Sequence, residues 1–374
     1  MKVILAEPKP DAEHFKKVIM REELPRRVHF IELHMDTEIV RFVTENMLNR
    51  KWVDPSSAGG REEKEACLRN YIEFCYRLGY DTVRLSSDFR FSTGLFFDSS
   101  QGTTGDTAAS SEKERHWTQS RGLISSWEDF EKYSWPSPGE IDLWAFEFLS
   151  GNLPEGMEFW ACFSQGVFEI AMNQLVGIEN LSYLLYDDEK LVEAIFSRAG
   201  ELIYESYKRI VCMNKLAGFF QGDDMGFKTS TIVSADVLRK YVLPWHKKFA
   251  GLAHENGLIY LLHNCGYCES IMEDLIEDVK IDGKHSYEDE VMRVQEFKKR
   301  YGSRIAVLGG VDVDKLCRLE EAELRKYVRN ILNDCMPGGG YFLGSGNFIA
   351  NYVPVKNFMI MLEEGTRWGE ENLT

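Results

Sequence analysis

The chain has 374 residues, 44% of them apolar and 13% aromatic, so it can bury a large core and is long enough for one large α/β barrel or two ordinary domains. Its formal net charge of −16 at pH 7 makes duplex nucleic acid and an anionic membrane unfavourable partners. The sequence has no secretory leader pattern before Ala6 and no apolar run of the ~18 residues that span a bilayer, which predicts a cytoplasmic protein with eight reduced cysteines.

Helical and strand-like patterns alternate along the chain. An opening helix at residues 11–21 precedes the apolar run 28–34, and helices at 37–48 and 62–78 separate this run from the next. The strand candidates begin at Val28, Thr82, Phe159, Ala217, Ile259, Ile281, Ile305 and Gly340. Eight parallel strands with intervening helices predict a single (β/α)8 TIM-type barrel over residues 1–374, with an N-terminal helical extension.

One connection, residues 89–122, is much longer than the others and is dominated by Ser, Thr, Gly and charged residues. It also carries apolar anchors that a simple linker does not need, namely Phe89, Phe91, Phe96, Phe97 and Trp117. We therefore predict an insertion that folds over the site as a lid.

Polar side chains stand near the ends of the predicted strands. In a barrel all strand ends face one mouth, so residues that are distant in sequence converge there. The residues expected at this mouth are Glu32, His34, Asp88, Asp223, Asp224, His263, Cys265, His285, Asp312 and Asn347. Because few of these side chains are suited to burial, their convergence favours a functional mouth.

His263 and Cys265 follow the apolar run 259–262 and are two residues apart, so at an extended strand end they point to the same side. Imidazole and thiolate are good zinc ligands, and a catalytic zinc needs a third protein ligand. Two other interpretations stay open: a hydrogen-bonded histidine beside a small buried cysteine, or a redox pair of Cys265 with Cys268.

Other candidates are ambiguous from their local sequence. Asp223 and Asp224 suit either a pair that contacts substrate or metal, or a solvated Gly-Asp-Asp turn. His285 suits a proton donor, a ligand or a helix-start residue. His34, Asn347 and Tyr352 are predicted to contact substrate.

Several motifs resemble the uroporphyrinogen decarboxylase superfamily. They are the segments 222–227 (GDDMGF), 263–266 (HNCG), 282–286 (DGKHS), 308–312 (LGGVD), 344–347 (GSGN) and 353–357 (VPVKN). The resemblance implies a TIM-type barrel and covers residues 179–374 best. The arginine-rich N-terminal stretch of the haem-pathway decarboxylases is absent, which favours the branch of corrinoid-dependent methyltransferases.

That branch holds zinc with His-x-Cys and a distant cysteine. The resemblance therefore implies that His263 and Cys265 are metal ligands, whereas Asn347 stands at the position of the distal cysteine. With one thiolate fewer the metal is more electrophilic, which suits an ether oxygen better than coenzyme M. Glu32, Asp224 or His285 would complete the ligand shell or act as the catalytic acid.

The expected function is zinc-dependent transfer of a methyl group from a methoxylated or methylated small molecule to a corrinoid protein, since the chain has no cobalamin-binding motif of its own. A homodimer is compatible with this expectation. Two alternatives remain open. One is a metal-free decarboxylase of porphyrinogen type that uses Arg84 and Arg90, and the other is a non-catalytic protein that binds a corrinoid or an aromatic ligand.

Overall fold

The computed structural model describes residues 4–87, 89 and 122–373. Within this part of the chain, seven parallel strands form one curled sheet, in the order in which they occur in the sequence. They are β1 (Thr82–Ser87), β2 (Glu158–Phe163), β3 (Leu216–Gly222), β4 (Ile259–His263), β5 (Gly283–His285), β6 (Ala306–Leu308) and β7 (Tyr341–Phe342). Strands and helices alternate, which confirms the predicted TIM-type α/β fold.

The described residues form fourteen α-helices, of which the first three begin and end within two residues of the predicted positions. They are α1 (Ala12–Ile19), α2 (Thr37–Asn46), α3 (Arg61–Arg77), α4 (Trp127–Lys132), α5 (Trp144–Asn152), α6 (Val167–Glu169), α7 (Ile178–Asp187), α8 (Glu189–Ile210), α9 (Ala235–Tyr241), α10 (Leu243–Glu255), α11 (Val294–Tyr301), α12 (Val313–Arg318), α13 (Glu321–Cys335) and α14 (Val355–Asn372). No helix of the described residues is long and apolar enough to cross a bilayer.

The first predicted strand, which begins at Val28, is not a regular strand. Its backbone bonds on one side only, where the Leu343 N–H donates to His29 O (2.9 Å) and the Ile31 N–H donates to Leu343 O (3.0 Å). On the side facing β1, the Arg84 guanidinium donates to Leu33 O (3.0 Å) and to Phe220 O (3.0 Å). An arginine side chain therefore spans the gap that an eighth strand would have closed by backbone pairing.

Two further segments with a helical sequence pattern, residues 235–256 and 269–279, do not form one continuous α-helix each. Residues 235–256 form α9 and α10, because Pro244 in the first turn of α10 has no N–H to continue the ladder. The pattern at 269–279 forms a 3-10 turn (Glu269–Ile271) and a π-helix (Asp274–Val279).

The interior of the sheet is filled by large side chains from the strands, among them Trp160, Phe220 and Phe342. Helix α1 closes one end, where Phe15 packs on Phe342 with ring centroids 4.5 Å apart. The predicted N-terminal helical extension is thus a plug, and it leaves the carboxyl ends of the strands for the site. Of the predicted lid, Phe89 is buried against Phe163, whereas residues 90–121 lie outside the described residues.

Candidate functional site

Three neighbouring strand ends bring the main candidates together. Gly222 of β3 pairs with His263 of β4, and His263 pairs with His285 of β5. The chain continues from β3 into Asp223 and Asp224 and from β4 into Asn264 and Cys265, so these side chains share one edge of the sheet. This arrangement follows from the parallel register, because the carboxyl ends of parallel strands face the same way.

Asp224, His263 and Cys265 form a cluster whose ligand atoms all lie within 4.8 Å of one another. His263 Nε2 is 3.3 Å from Cys265 Sγ and 3.4 Å from Asp224 Oδ1. Asp224 Oδ1 also accepts a hydrogen bond from the Cys265 backbone N–H (2.8 Å). This contact ties the two strand-end turns together.

The donor set fits a zinc ion. Bonds of about 2.0–2.3 Å in a tetrahedral site place the ligand atoms about 3.3–3.6 Å apart, and the two distances at His263 Nε2 match this spacing. One imidazole, one thiolate and one carboxylate supply three ligands, so a fourth position stays open, as in catalytic zinc sites. Asp224 thus lies where it could supply the third donor that a zinc site at His263 and Cys265 would require.

Asn347 reaches the same cluster from the turn that follows β7. Its Nδ2 lies 3.4 Å from Cys265 Sγ, where the amide donates a hydrogen bond to the sulfur. The resemblance placed a distal cysteine at this position. The structure therefore puts an amide donor beside the cluster where a second thiolate would stand.

Burial and the charge of Asp224 raise the pKa of the Cys265 thiol well above its usual value. Burial opposes ionisation of Asp224 as well, but the neighbouring His263 ring and the hydrogen bond from the Cys265 N–H hold the pKa of this carboxyl below its usual value. Binding of a metal by this cluster therefore has to release the thiol proton.

A histidine chain behind the cluster fixes the tautomer of His263. His285 is fully buried, and this burial holds its pKa well below the usual value, so it is neutral. His285 Nε2 donates to Ser345 O (3.1 Å), which leaves Nδ1 as an acceptor for His263 Nδ1–H (2.7 Å). His263 Nε2 is consequently the ring nitrogen that faces Cys265 and Asp224.

Glu32 is not in the cluster but supports this chain. Its carboxyl group accepts from the Ser345 N–H (2.8 Å) and bonds the Ser345 hydroxyl (2.5 Å). Burial raises the pKa of Glu32 to about 8. Glu32, which was predicted as a catalytic acid, thus positions Ser345, and the Ser345 carbonyl in turn orients His285.

Asp223 is fully buried and its carboxylate accepts from the Phe168 N–H (3.1 Å), the Glu169 N–H (3.0 Å) and His246 Nε2 (2.8 Å). These partners favour a positioning role over the predicted contact with substrate. Asp312 is likewise occupied, as the N-cap of α12.

His34 and Tyr352 lie at more open positions. The side chain of His34 is 57% exposed, 3.5 Å from Asp36, and Tyr352 is 41% exposed. Neither belongs to the cluster of Asp224, His263 and Cys265, and their predicted contact with substrate remains a prediction. Asp88 lies outside the described residues.

Glu169, at the end of α6, was missed by the sequence analysis. Burial and the charges of Asp224 and Asp223 raise the pKa of its carboxyl well above the usual value. The sequence could have indicated Glu169 by its position, because it lies only a few residues after the end of β2, as the predicted candidates lie after the ends of their strands.

The arginines invoked for a decarboxylase are not available as a basic pocket among the described residues. Arg84 is occupied by the carbonyls of Leu33 and Phe220, and Arg90 lies outside the described residues. The described mouth therefore presents a soft donor cluster instead of a cationic one.

Comparisons with known proteins agree with this fold. The sequence model of the uroporphyrinogen decarboxylase (URO-D) family matches residues 146–368. A methylated-thiol-coenzyme M methyltransferase of Methanosarcina mazei is 23% identical over 183 residues, which is 49% of this chain and 46% of that protein. The chain thus spans less than half of the length of this relative.

The fold has a counterpart among solved structures. A methyltransferase from Methanosarcina mazei superposes with a TM-score of 0.65 at 15% identity, covering 96% of this chain and 99% of that one. The family match includes the turns that carry Asp224, His263, Cys265 and Asn347. The protein belongs to the uroporphyrinogen decarboxylase family.

Proposed function

We propose that this protein is a zinc-dependent methyltransferase that moves a methyl group from a methoxylated or methylated small molecule to a corrinoid carried by a partner protein. One observation carries the proposal, the cluster of Asp224, His263 and Cys265 with ligand atoms within 4.8 Å of one another. The methyltransferase found among the relatives supports the class of reaction. We take residues 1–374 as one domain.

In this proposal Asp224, His263 and Cys265 hold the metal. When bound, zinc would act as a Lewis acid on the heteroatom that carries the methyl group. His285 orients His263 through the hydrogen bond between their Nδ1 atoms, and Glu32 acts through Ser345. His34 and Tyr352, at the open positions, are proposed to contact the donor or the partner.

The ligand set argues for an oxygen donor. Replacing a thiolate by the Asp224 carboxylate removes the softest ligand and raises the affinity of the site for hard atoms. The relative named above acts with coenzyme M, a thiol, whereas the Asn347 amide at 3.4 Å from Cys265 Sγ leaves this site one thiolate short. We therefore propose a methyl ether as donor and do not expect coenzyme M to be a substrate.

Metal analysis is the first test. Protein purified without chelator should contain near-stoichiometric zinc, and the double variant His263→Ala/Cys265→Ala should lose it. Cys268→Ala is the matched control, since this buried thiol contacts Met272 and lies outside the cluster. Absence of metal from the unaltered protein, even after zinc is supplied, would refute the mechanism.

Two further variants identify the third ligand. Asp224→Ala should lower zinc affinity strongly, whereas Asn347→Ala should retain zinc, because the amide nitrogen faces the sulfur instead of the metal. The opposite pattern would show that Asn347 is the ligand and that Asp224 only supports the turn.

Activity is tested with the zinc-loaded protein, a panel of methoxylated aromatic compounds and a cobalt(I) corrinoid, following the corrinoid absorbance as its cobalt is methylated. The expected result is donor-dependent methylation that requires Cys265. Zinc binding without methylation by any donor would support a binding protein instead of an enzyme.

A further inference from the structure

Asp223 connects the two strand-end turns that carry the candidate metal ligands. It directly precedes Asp224, and its backbone N–H donates to His263 O (2.9 Å). Its carbonyl accepts from the side-chain amide of Asn264 (2.8 Å), which stands between His263 and Cys265 in the chain. Any displacement of Asp223 therefore reaches the ligands through one covalent neighbour and two hydrogen bonds.

The side chain of Asp223 is itself held from two sides. Its carboxylate accepts from the N–H groups of Phe168 (3.1 Å) and Glu169 (3.0 Å) in α6 and from His246 Nε2 (2.8 Å). A methyl group at Gly166 would overlap the Cβ and Cγ atoms of Asp223, so the close approach of α6 to this carboxylate requires a glycine there. Because a buried carboxylate is costly without donors, these contacts fix where it can lie.

His246 belongs to α10 and continues the network away from the mouth. A carboxylate only accepts hydrogen bonds, so His246 Nε2 must carry a hydrogen, and in the neutral ring Nδ1 accepts from the hydroxyl of Tyr260 in β4 (2.7 Å). Asp223, His246 and Tyr260 are all fully buried. Neither His246 nor Tyr260 belongs to the metal cluster, and the chain that they form ends one residue away from it.

We propose that His246 and Tyr260 are positioning residues of the metal site, which hold Asp223 and through it keep Asp224 in place as a ligand. The hydrogen bond from the Cys265 N–H to Asp224 Oδ1 (2.8 Å) reports this placement, because it requires the Asp224 carboxylate to lie at the turn that follows β4. The role in metal binding rests on the function proposed above, whereas this hydrogen bond can be measured without metal. The two are therefore tested separately.

Zinc affinity, measured by competition with a chromophoric chelator, is the first readout. His246→Leu removes a donor to Asp223 and should weaken zinc binding about tenfold, at the lower end of the range for residues behind metal ligands because it acts through Asp223. His29→Leu is the matched control, since His29 is also buried and bonded to an aspartate, Asp81 (2.6 Å), but packs on α1 at the opposite end of the barrel. It should destabilise the fold and keep the zinc affinity. Equal losses of zinc affinity in the two variants overturn the proposal.

Amide hydrogen exchange of the metal-free protein is the second readout, and it decides the proposal even if the unaltered protein takes up no zinc. In His246→Leu the Cys265 amide should exchange about tenfold faster relative to the amides of β4, because its acceptor on Asp224 is no longer held. In His29→Leu this ratio should stay as in the unaltered protein. An unchanged ratio in His246→Leu overturns the proposal.

Two milder variants cover the case in which His246→Leu does not fold. Tyr260→Phe keeps the ring and removes the hydroxyl, whereas Gly166→Ala removes no polar group and displaces the carboxylate by overlap. Both should lower zinc affinity and speed the exchange of the same amide. Gly251→Ala is the control, because a methyl group added there on α10 has no heavy atom of another segment within 4 Å. Both readouts should be unchanged in this control, and unchanged readouts in Tyr260→Phe and Gly166→Ala as well would refute the positioning role.

Discussion

Replacing His285 with phenylalanine removes the acceptor that fixes the His263 tautomer. His263 Nδ1–H, buried with its ring only 5% exposed, then lacks a partner for the bond that measures 2.7 Å to His285 Nδ1. An unpaired buried donor costs about 1–3 kcal/mol. The ring escapes this cost by carrying its proton on Nε2, which is the atom needed for the metal.

The penalty therefore falls on metal binding. It corresponds to about a 5- to 150-fold loss of zinc affinity, similar to the ~10–100-fold losses known for residues behind metal ligands. His285→Asn is the matched control, because its Oδ1 can occupy the position of Nδ1 and accept the same hydrogen bond. This variant should retain most of the affinity.

Competition with a chromophoric chelator measures the affinities, and nitrogen chemical shifts of the His263 ring in metal-free protein report the tautomer directly. The reasoning fails if His285→Phe binds zinc as tightly as the unaltered protein, or if its His263 tautomer is unchanged. Equal losses in His285→Asn and His285→Phe would show that ring packing matters and the hydrogen bond does not.

Three further changes have expected outcomes. Since burial raises the pKa of Glu32 to about 8, the folded state binds its proton more tightly than the unfolded chain, and the free energy of unfolding should fall by about 1.4 kcal/mol per pH unit between roughly pH 4.5 and 8. In Glu32→Gln this pH dependence of the free energy of unfolding should disappear, as measured by urea unfolding at several pH values. A pH profile identical to that of the unaltered protein would contradict the prediction. Glu364 is fully buried among three partly exposed arginines, two of which keep other carboxylate partners, so Glu364→Ala should lower the free energy of unfolding by about 1–3 kcal/mol. Glu371→Ala, at the exposed end of the same network, should cost much less, and similar losses in thermal or urea unfolding would refute the distinction. Asn347→Cys should add a second thiolate ligand and strengthen the thiolate-to-metal charge-transfer band of the cobalt(II)-loaded protein, a band that Cys265→Ala should abolish. An unchanged band in Asn347→Cys would place residue 347 out of reach of the metal.

Much of the barrel was predictable because its strands are short apolar runs that end in polar residues. The run 259–262 ends at His263 and Cys265, and the observed β4 ends at His263. The segment after Val28 has an equally apolar pattern, yet Arg84, a single side chain from another strand, takes the place of its second ladder. A local pattern carries no information about that contact.

The site was predictable only in part for the same reason. The resemblance named His263 and Cys265, and it left the third ligand open among Glu32, Asp224 and His285. The choice depends on distances between separate strand ends, and these place Asp224 in the cluster, His285 behind it and Glu32 on Ser345.

The chain of hydrogen bonds from Glu32 through Ser345 and His285 to His263 joins the first segment of the barrel, its last strand turn and the middle strands that carry the ligands. A polypeptide in which these distant segments have not yet met can present His263 and Cys265 but cannot hold the imidazole in its ligating form. If the cluster holds zinc as proposed, tight binding would be a late event of folding, and by linkage the bound ion would stabilise the barrel against opening between β1 and the segment of Leu33, where Arg84 spans the gap. Metal occupancy would accordingly report completion of the fold, as well as readiness for catalysis.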